Sequence, residues 1–296
     1  MISIREAAER IRAGELVAFP TETVYGLGAN ALDAAAVAKI YELKGRPPTS
    51  PLIVHVASIE MARTLVTEWP SEADQLARKY WPGPLTLVLP KTSAIPDIVT
   101  AGLPTVGIRV PNHPLALALI REAGVPLAAP SANRFTGLSP TTATHVQEAF
   151  GDAVPVLDGG HCRVGIESTV VSISSGKITL LRPGMISLDD VELASAPASD
   201  AAHPAPGMHQ RHYSPRTPLV LSNNPDPRGA YLWITQPANS ARSIQMPATP
   251  EPYAAQLYSV LHDLDREAWP IICVEPPPNA VEWAAVLDRL QRASSK

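Results

Sequence analysis

Arg109 is the residue that most demands an explanation. In the run 105 to 111, TVGIRVP, it stands between Ile108 and Val110 in a stretch that otherwise reads as a buried strand. A guanidinium in that setting needs a partner. Its bidentate fork suits either an internal carboxylate or the carboxylate or phosphate of a ligand. His55, inside the apolar run PLIVHVAS, poses the same question, and a satisfied core histidine is the commoner outcome. Lys44 and Arg46, in KGRP, fall at the end of a predicted helix, where the dipole favours cations without forcing phosphate binding. The segments 129 to 141 (APSANRFTGLSPT), 165 to 173 (GIESTVVSI) and 181 to 184 (LRPG) place hydroxyls, amides and an arginine at strand ends. No GxSxG elbow sets a base beside Ser131, which therefore reads as a hydrogen-bonding group and not a nucleophile. There is no Walker A loop, HExxH helix or paired-carboxylate signature. His209 and His212 bracket HQRH without a third ligand, so no protein-held metal is predicted. Hydroxyls and cations without a nucleophile suit nucleotidyl transfer, which works by positioning and charge neutralisation, with Mg2+ carried by the nucleotide.

These groups need elements to hold them. Gly26, Gly28 and Ala31 satisfy the GxGxxG/A spacing, but six residues separate Gly26 from the end of the preceding strand and no helix opens at once. The segment 20 to 30 accordingly reads as a polar loop and not a dinucleotide site. Taken alone, Thr21 and Thr23 satisfy turn amides there. Periodicity predicts strands over 15–19, 52–56, 85–89, 106–110, 127–129, 154–157, 168–174 and 177–181, with helices over 4–12, 33–44, 58–66, 71–80, 113–123, 141–150 and 187–194. Many strands, few hairpin turns and interspersed helices imply an α/β or α+β domain with a large mixed sheet, spanning 1–195. Residues 196–217 carry four prolines and almost no apolar periodicity, which predicts a linker. A smaller α/β unit, 218–296, follows, with strands over 218–221, 230–234 and 270–274 and helices over 251–267 and 280–293. Its short length predicts that it leans on the first domain.

Net charge is −4 and the pI about 6.1, which excludes a bulk electrostatic pull onto nucleic acid or an anionic membrane. No window approaches the ~18 apolar residues of a membrane span. The start of the chain lacks a signal peptide's apolar stretch. Cys162 and Cys273, far apart, indicate neither a zinc site nor a disulfide framework. A cytoplasmic protein is expected. Prolines number 32 in 296 residues, about twice the usual ~5%, and many lie in the polar segments, where a fixed φ stiffens a loop.

Eight blocks, PTETVYGLGANALD, KGRPPTSPLIVHV, WPGPLTLVL, GLPTVGIRVPNHPLA, PLAAPSANRFTGLSPTTATHV, LDGGHCRVGIESTVVSI, LLRPG and PGMHQRHYSP, resemble the threonylcarbamoyl-AMP synthases, the YrdC-like family, in order and spacing up to about residue 218. The tail resembles the family's longer, two-domain branch. The resemblance implies a YrdC-like fold with a small Rossmann-like C-terminal domain. It implies a reaction in which L-threonine, bicarbonate or CO2, and ATP yield L-threonylcarbamoyl-AMP and pyrophosphate, supplying a transferase complex that modifies the adenosine beside the tRNA anticodon. By that likeness Thr23, His55, Arg109, Ala129 and Ser168 line a threonine pocket. Lys44, Arg46, Ser50, Thr105, Ser131, Ser139, Arg182 and Tyr213 hold ATP, and Lys44, Arg46 and Arg182 are the catalytic cations, with Mg2+ as cofactor. Tyr213, in a segment expected to contribute little core, would close over the nucleotide. Ser50 stands where the family usually has asparagine, and Asp288 likewise. Two other readings are an RNA-binding or ribosome-maturation factor of the same fold, which the net charge disfavours, and carbamoyl transfer in a hydrogenase-maturation assembly, for which no zinc-finger or acylphosphatase-like segment is seen.

Overall fold

The computed structural model describes residues 1–188, 191–194 and 212–295. Its first half runs α1 (Ile4–Arg12), β1 (Val17–Phe19), β2 (Gly26–Asn30), α2 (Ala34–Lys44), β3 (Ile53–His55), α3 (Ile59–Arg63), α4 (Ser71–Tyr80), β4 (Leu85–Pro90), α5 (Asp97–Thr100), β5 (Thr105–Arg109), α6 (Pro114–Ala123), β6 (Leu127–Ala128), α7 (Ala143–Phe150), β7 (Thr169–Ser174), β8 (Lys177–Arg182) and β9 (Glu192–Leu193). A second unit follows: β10 (Leu219–Leu221), β11 (Ala230–Trp233), β12 (Arg242–Gln245), α8 (Pro250–Glu267), β13 (Ile272–Val274) and α9 (Ala284–Ser294). The first sheet is mixed, in the order β1-β2-β6-β3-β5-β4-β7-β8-β9. The second is parallel, in the order β10-β13-β11-β12. No helix among the described residues is long and apolar enough to cross a membrane.

Local chemistry sets the elements that matter for the site. Asp33 caps α2 by accepting from the Ala35 and Ala36 amides, and Gly45, in the left-handed region at φ 64°, ends it. That stop leaves Lys44 on the last turn and Arg46 just beyond it. A β-bulge at Val170/Val171 interrupts the β7–β8 ladder, so that Arg182 pairs with Val170 at the end next to Ser168.

The structure departs from the sequence reading in four places. Gly26–Asn30 is a strand, antiparallel to β1, and not a polar loop. Its glycines serve close packing, because a Cβ on Gly28 would stand 2.7 Å from Phe19 Cε1. The apolar run 154–157 forms only an isolated bridge, Ala18 to Val156. Residues 187, 188 and 191–194 are not helical, and Glu192–Leu193 pairs in parallel with β8 at the sheet edge. The second unit also contains β12, whose polar RSIQ carries no apolar alternation because it is an exposed edge strand.

Residues 196–211 of the expected linker, including His209, lie outside the described residues. Tyr213, expected to add little core, is instead 1% exposed and belongs to the apolar cluster of the second unit. That cluster also contains Val24, Leu138 and Ile166 from the first half, so the small unit does lean on the larger one.

Candidate active site

The β1–β2 hairpin, the end of β3, the end of β5, the loop after β6 and the β7–β8 pair converge on a cleft of about 530 Å³, counting the space at its mouth. Of the thirteen residues expected to bind threonine or ATP, nine line it: Thr23, Arg46, His55, Arg109, Ala129, Ser131, Ser168, Arg182 and Tyr213.

At one end lies Arg109, 3% exposed. Its Nε donates to Gly83 O at 3.2 Å and its Nη1 to Thr23 Oγ1 at 2.9 Å. Nη2 stands 2.7 Å from Glu22 Oε1, but off the line of a hydrogen bond, so Nη2 and both Glu22 oxygens are left unsatisfied. The two readings of Arg109 are therefore compatible: it is ion-paired and it still faces the cleft. Thr21 is a turn residue, taking the Thr23 and Val24 amides and donating to Val24 O. Thr23 has a second role as acceptor for Arg109. His55 packs edge-on to Phe19, and burial together with the nearby Arg109 charge drops its pKa to about 3, so the ring is neutral. Its buried Nδ1 has no partner.

The other end gathers cations. Arg46 donates to Ser50 Oγ at 2.5 Å and to Pro51 O at 2.9 Å, which makes Ser50 a brace for Arg46. Arg182 clasps Ser168 through its carbonyl, at 3.0 and 3.1 Å, and its hydroxyl, at 3.1 Å. Burial lowers the pKa of both, Arg46 to about 10. Both remain charged at neutral pH.

Four expected residues do not line the cleft. Lys44 Nζ is held beneath the loop after β6 by the Ser131 and Asn133 carbonyls, at 2.6 and 2.5 Å. Burial, and then repulsion from Arg46, push its pKa well down. Ser139 donates to Glu167 Oε1 at 2.5 Å. Ser50 sits behind Arg46. Thr105 opens β5 and lines a separate small void beside Ile53.

Sequence reasoning missed Glu22, Glu167, Tyr258 and Arg289. Glu22 had a signal, since a buried arginine demands a counter-charge and PTET supplies one. Glu167 lines the cleft and receives Ser139, Tyr258 and Arg289. Only the fold brings the latter two within reach. Among the described residues no group of three or more His, Cys, Asp or Glu side chains could hold a metal ion, and Glu167 is already occupied by donors.

Residues 9–184 match a family described as Telomere recombination, the Sua5, YciO and YrdC group, and residues 173–295 match Threonylcarbamoyl-AMP synthase, C-terminal domain. The chain is 41% identical to the threonylcarbamoyl-AMP synthase of Pyrococcus abyssi over 98% of its length and 94% of that protein's. It is 41% identical to that of Bacillus subtilis over 98% and 92%. The crystal structure of P. abyssi Sua5 complexed with L-threonine superposes with a TM-score of 0.91 at 40% identity, covering 98% of this chain and 94% of that one.

Proposed function

Because the chain belongs to the threonylcarbamoyl-AMP synthase family, whose members are ATP-using enzymes that form an AMP adduct, we propose how its cleft carries out that synthesis. The substrates are L-threonine, bicarbonate or CO2, and ATP, the last arriving with Mg2+ on its phosphates. One observation carries the assignment: buried arginines outnumber carboxylates around the cleft, and Arg46 and Arg182 are braced there by hydroxyl and carbonyl oxygens. A cleft so charged is complementary to a carboxylate at one end and a polyphosphate at the other.

Arg109 takes the threonine carboxylate. The neutral His55 faces the amino acid, with Thr23, Ala129 and Ser168 as the remaining wall. The P. abyssi relative was crystallised with L-threonine, which supports an amino-acid substrate for a cleft of this fold. At the other end Arg46, Arg182, Ser131 and Tyr213 receive the nucleotide. Lys44, Ser50 and Ser139 support that wall from behind, and Thr105 stands apart from it.

The threonine amine lone pair attacks the carbon source: with CO2 the amine gives up one proton to solvent, and with bicarbonate that proton leaves with the displaced hydroxide as water. A carbamate oxygen then displaces pyrophosphate from the α-phosphorus of ATP, giving the mixed anhydride. No side chain forms a bond in this sequence. The chain holds the reactants together and offsets the charge on the departing pyrophosphate through Arg46 and Arg182. The adenylate is consumed by a carbamoyl-type transfer to the adenosine beside the tRNA anticodon.

Purified protein with Mg-ATP is expected to release pyrophosphate only when both L-threonine and bicarbonate are present. Release that persists without threonine, or none at all, would overturn the assignment.

A further inference from the structure

We infer that Arg289, on the last helix of the second unit, is a positioning residue of the nucleotide wall, acting through Glu167 and Tyr213. The inference rests on the proposal that ATP occupies that wall.

Arg289 is 0% exposed although it lies midway along α9, the last helix of the smaller unit. Its Nε donates to Glu167 Oε2 at 2.7 Å and its Nη1 to Asp288 Oδ2 at 2.6 Å. Its guanidinium lies over the Tyr213 ring, 5.1 Å from the centroid. Such a contact, desolvated, orients the ring. Tyr258 completes the arrangement, donating to Glu167 at 3.2 Å and packing against Tyr213 at 5.9 Å.

Two features of Tyr213 point to a ligand. Its phenol oxygen is buried at the cleft and has no hydrogen-bond partner. Its backbone occupies the left-handed region at φ 59°, a strained choice for a bulky residue that packing must enforce. Arg289 and Tyr258 supply that packing. On the other side, Glu167 fixes Ser139 and sits next to Ser168, which Arg182 clasps. One arginine of the second unit thereby sets both a phenol and the backbone under a phosphate-facing cation.

The groups around Glu167 are Arg289, Arg182, Ser139, Tyr258 and, farther off, Tyr213, while Asp288 pairs with Arg289. Burial opposes the Glu167 charge, and Arg289 then Arg182 overcome it, keeping the carboxyl below its ordinary range. Removing Arg289 leaves burial less opposed, so Glu167 takes up a proton at higher pH.

The test uses full-length Arg289→Met, which keeps most of the volume, and Arg289→Lys, which keeps the charge. Pyrophosphate release is measured against each substrate, and Tyr213 is followed by fluorine NMR in fluorotyrosine-labelled protein, its signal identified with Tyr213→Phe. Arg289→Met is expected to raise the KM for ATP at least tenfold, leave the KM for threonine within twofold, move the acid limb of kcat/KM for ATP to higher pH and shift the Tyr213 signal. Arg289→Lys should recover the KM for ATP to within threefold. If Arg289→Met does not fold, Tyr258→Phe, which removes one donor to Glu167, should raise the KM for ATP two- to fivefold. An unmoved Tyr213 signal, or a lower melting temperature with an unchanged KM for ATP, would overturn the inference. Wild-type protein without threonine-dependent release would overturn the ATP assignment instead, while the fluorine signal still decides whether Arg289 sets Tyr213.

Discussion

Glu22 and Arg109 are a buried pair that the protein satisfies incompletely, and this leaves a measurable opening for the substrate. Glu22→Gln keeps the shape but strands a cation, which costs about 3 kcal/mol when one member of a buried pair is removed. A threonine carboxylate would then be the missing partner. The variant should melt earlier than wild type, yet bind L-threonine several-fold more tightly by calorimetry and gain more in melting temperature from saturating threonine. Equal gains would mean that Arg109 is purely structural. Tyr213 gives the opposite pattern. Its hydroxyl has no partner in the protein, so Tyr213→Phe removes a buried unsatisfied group and should leave stability unchanged or raise it by up to about 1 kcal/mol. The KM for ATP should nevertheless rise several-fold, and a variant with wild-type KM would remove Tyr213 from the nucleotide wall. At this scale the sequence revealed much of the cleft. A charge inside TVGIRVP and a histidine inside PLIVHVAS are anomalies that can be seen without a fold. Arg289 cannot be seen that way, because an arginine in AAVLDRLQRAS looks like any solvated helix residue until packing encloses it.

The elements that hold these side chains were legible where one physical rule dominated. Asp33 and Gly45 bracket α2 as cap and stop, and LTLVL has no reading other than a buried strand. The β2 strand was hidden because GLGAN has almost no strand-forming side chains. Its glycines are there to admit Phe19, whose ring in turn meets His55 edge-on. Two substitutions separate that packing role from backbone conformation. In Gly28→Ala the new Cβ would collide with the Phe19 ring, costing about 2 kcal/mol for a forced shift in a filled core and raising the KM for threonine as His55 moves. At Gly124, φ is 71° and nothing lies within 4 Å of an added Cβ. Gly124→Ala should therefore cost about 1 kcal/mol through the left-handed backbone alone and leave both KM values unchanged. Denaturant midpoints and steady-state kinetics on the two variants check this, and an unaltered KM for threonine in Gly28→Ala would disconnect Phe19 from the site. The helix expected at 187–194 failed for a different reason: Glu192–Leu193 meets the open edge of the first sheet, and its ladder pairing with β8 overrides the local pattern.

At the scale of the whole molecule, the larger unit and the smaller one meet through more than the Arg289 contact. His145 on α7 stacks on His262 on α8, with ring centroids 3.9 Å apart and planes 16° from parallel. Both rings are held neutral. His145 Nδ1 accepts from the Thr141 amide, while His262 Nε2 donates to Ser139 O. Burial, reinforced by His262, Arg266 and His161, drops the His145 pKa to about 3; burial also lowers that of His262, although the Ser139 carbonyl, Glu148 and Asp265 pull the other way. A histidine whose pKa is lower folded than unfolded binds more protons in the unfolded chain, so its contribution to stability falls with pH. That contribution is intact above about pH 6.5, the unfolded value, and is lost progressively as the pH drops toward the folded value. The face between the units should therefore weaken between about pH 6.5 and pH 4. In urea titrations across that range, the wild-type midpoint is expected to fall more steeply than that of His145→Gln/His262→Gln, which cannot take up protons there. Surface carboxylates contribute equally to both proteins and cancel in the comparison. Ser139 links the stack to Glu167, so the loss should reach the cleft as well, with the KM for ATP rising at acid pH in wild type and less so in the double variant. Parallel urea curves for the two proteins would show that the stack carries no charge-dependent part of the contact between the units.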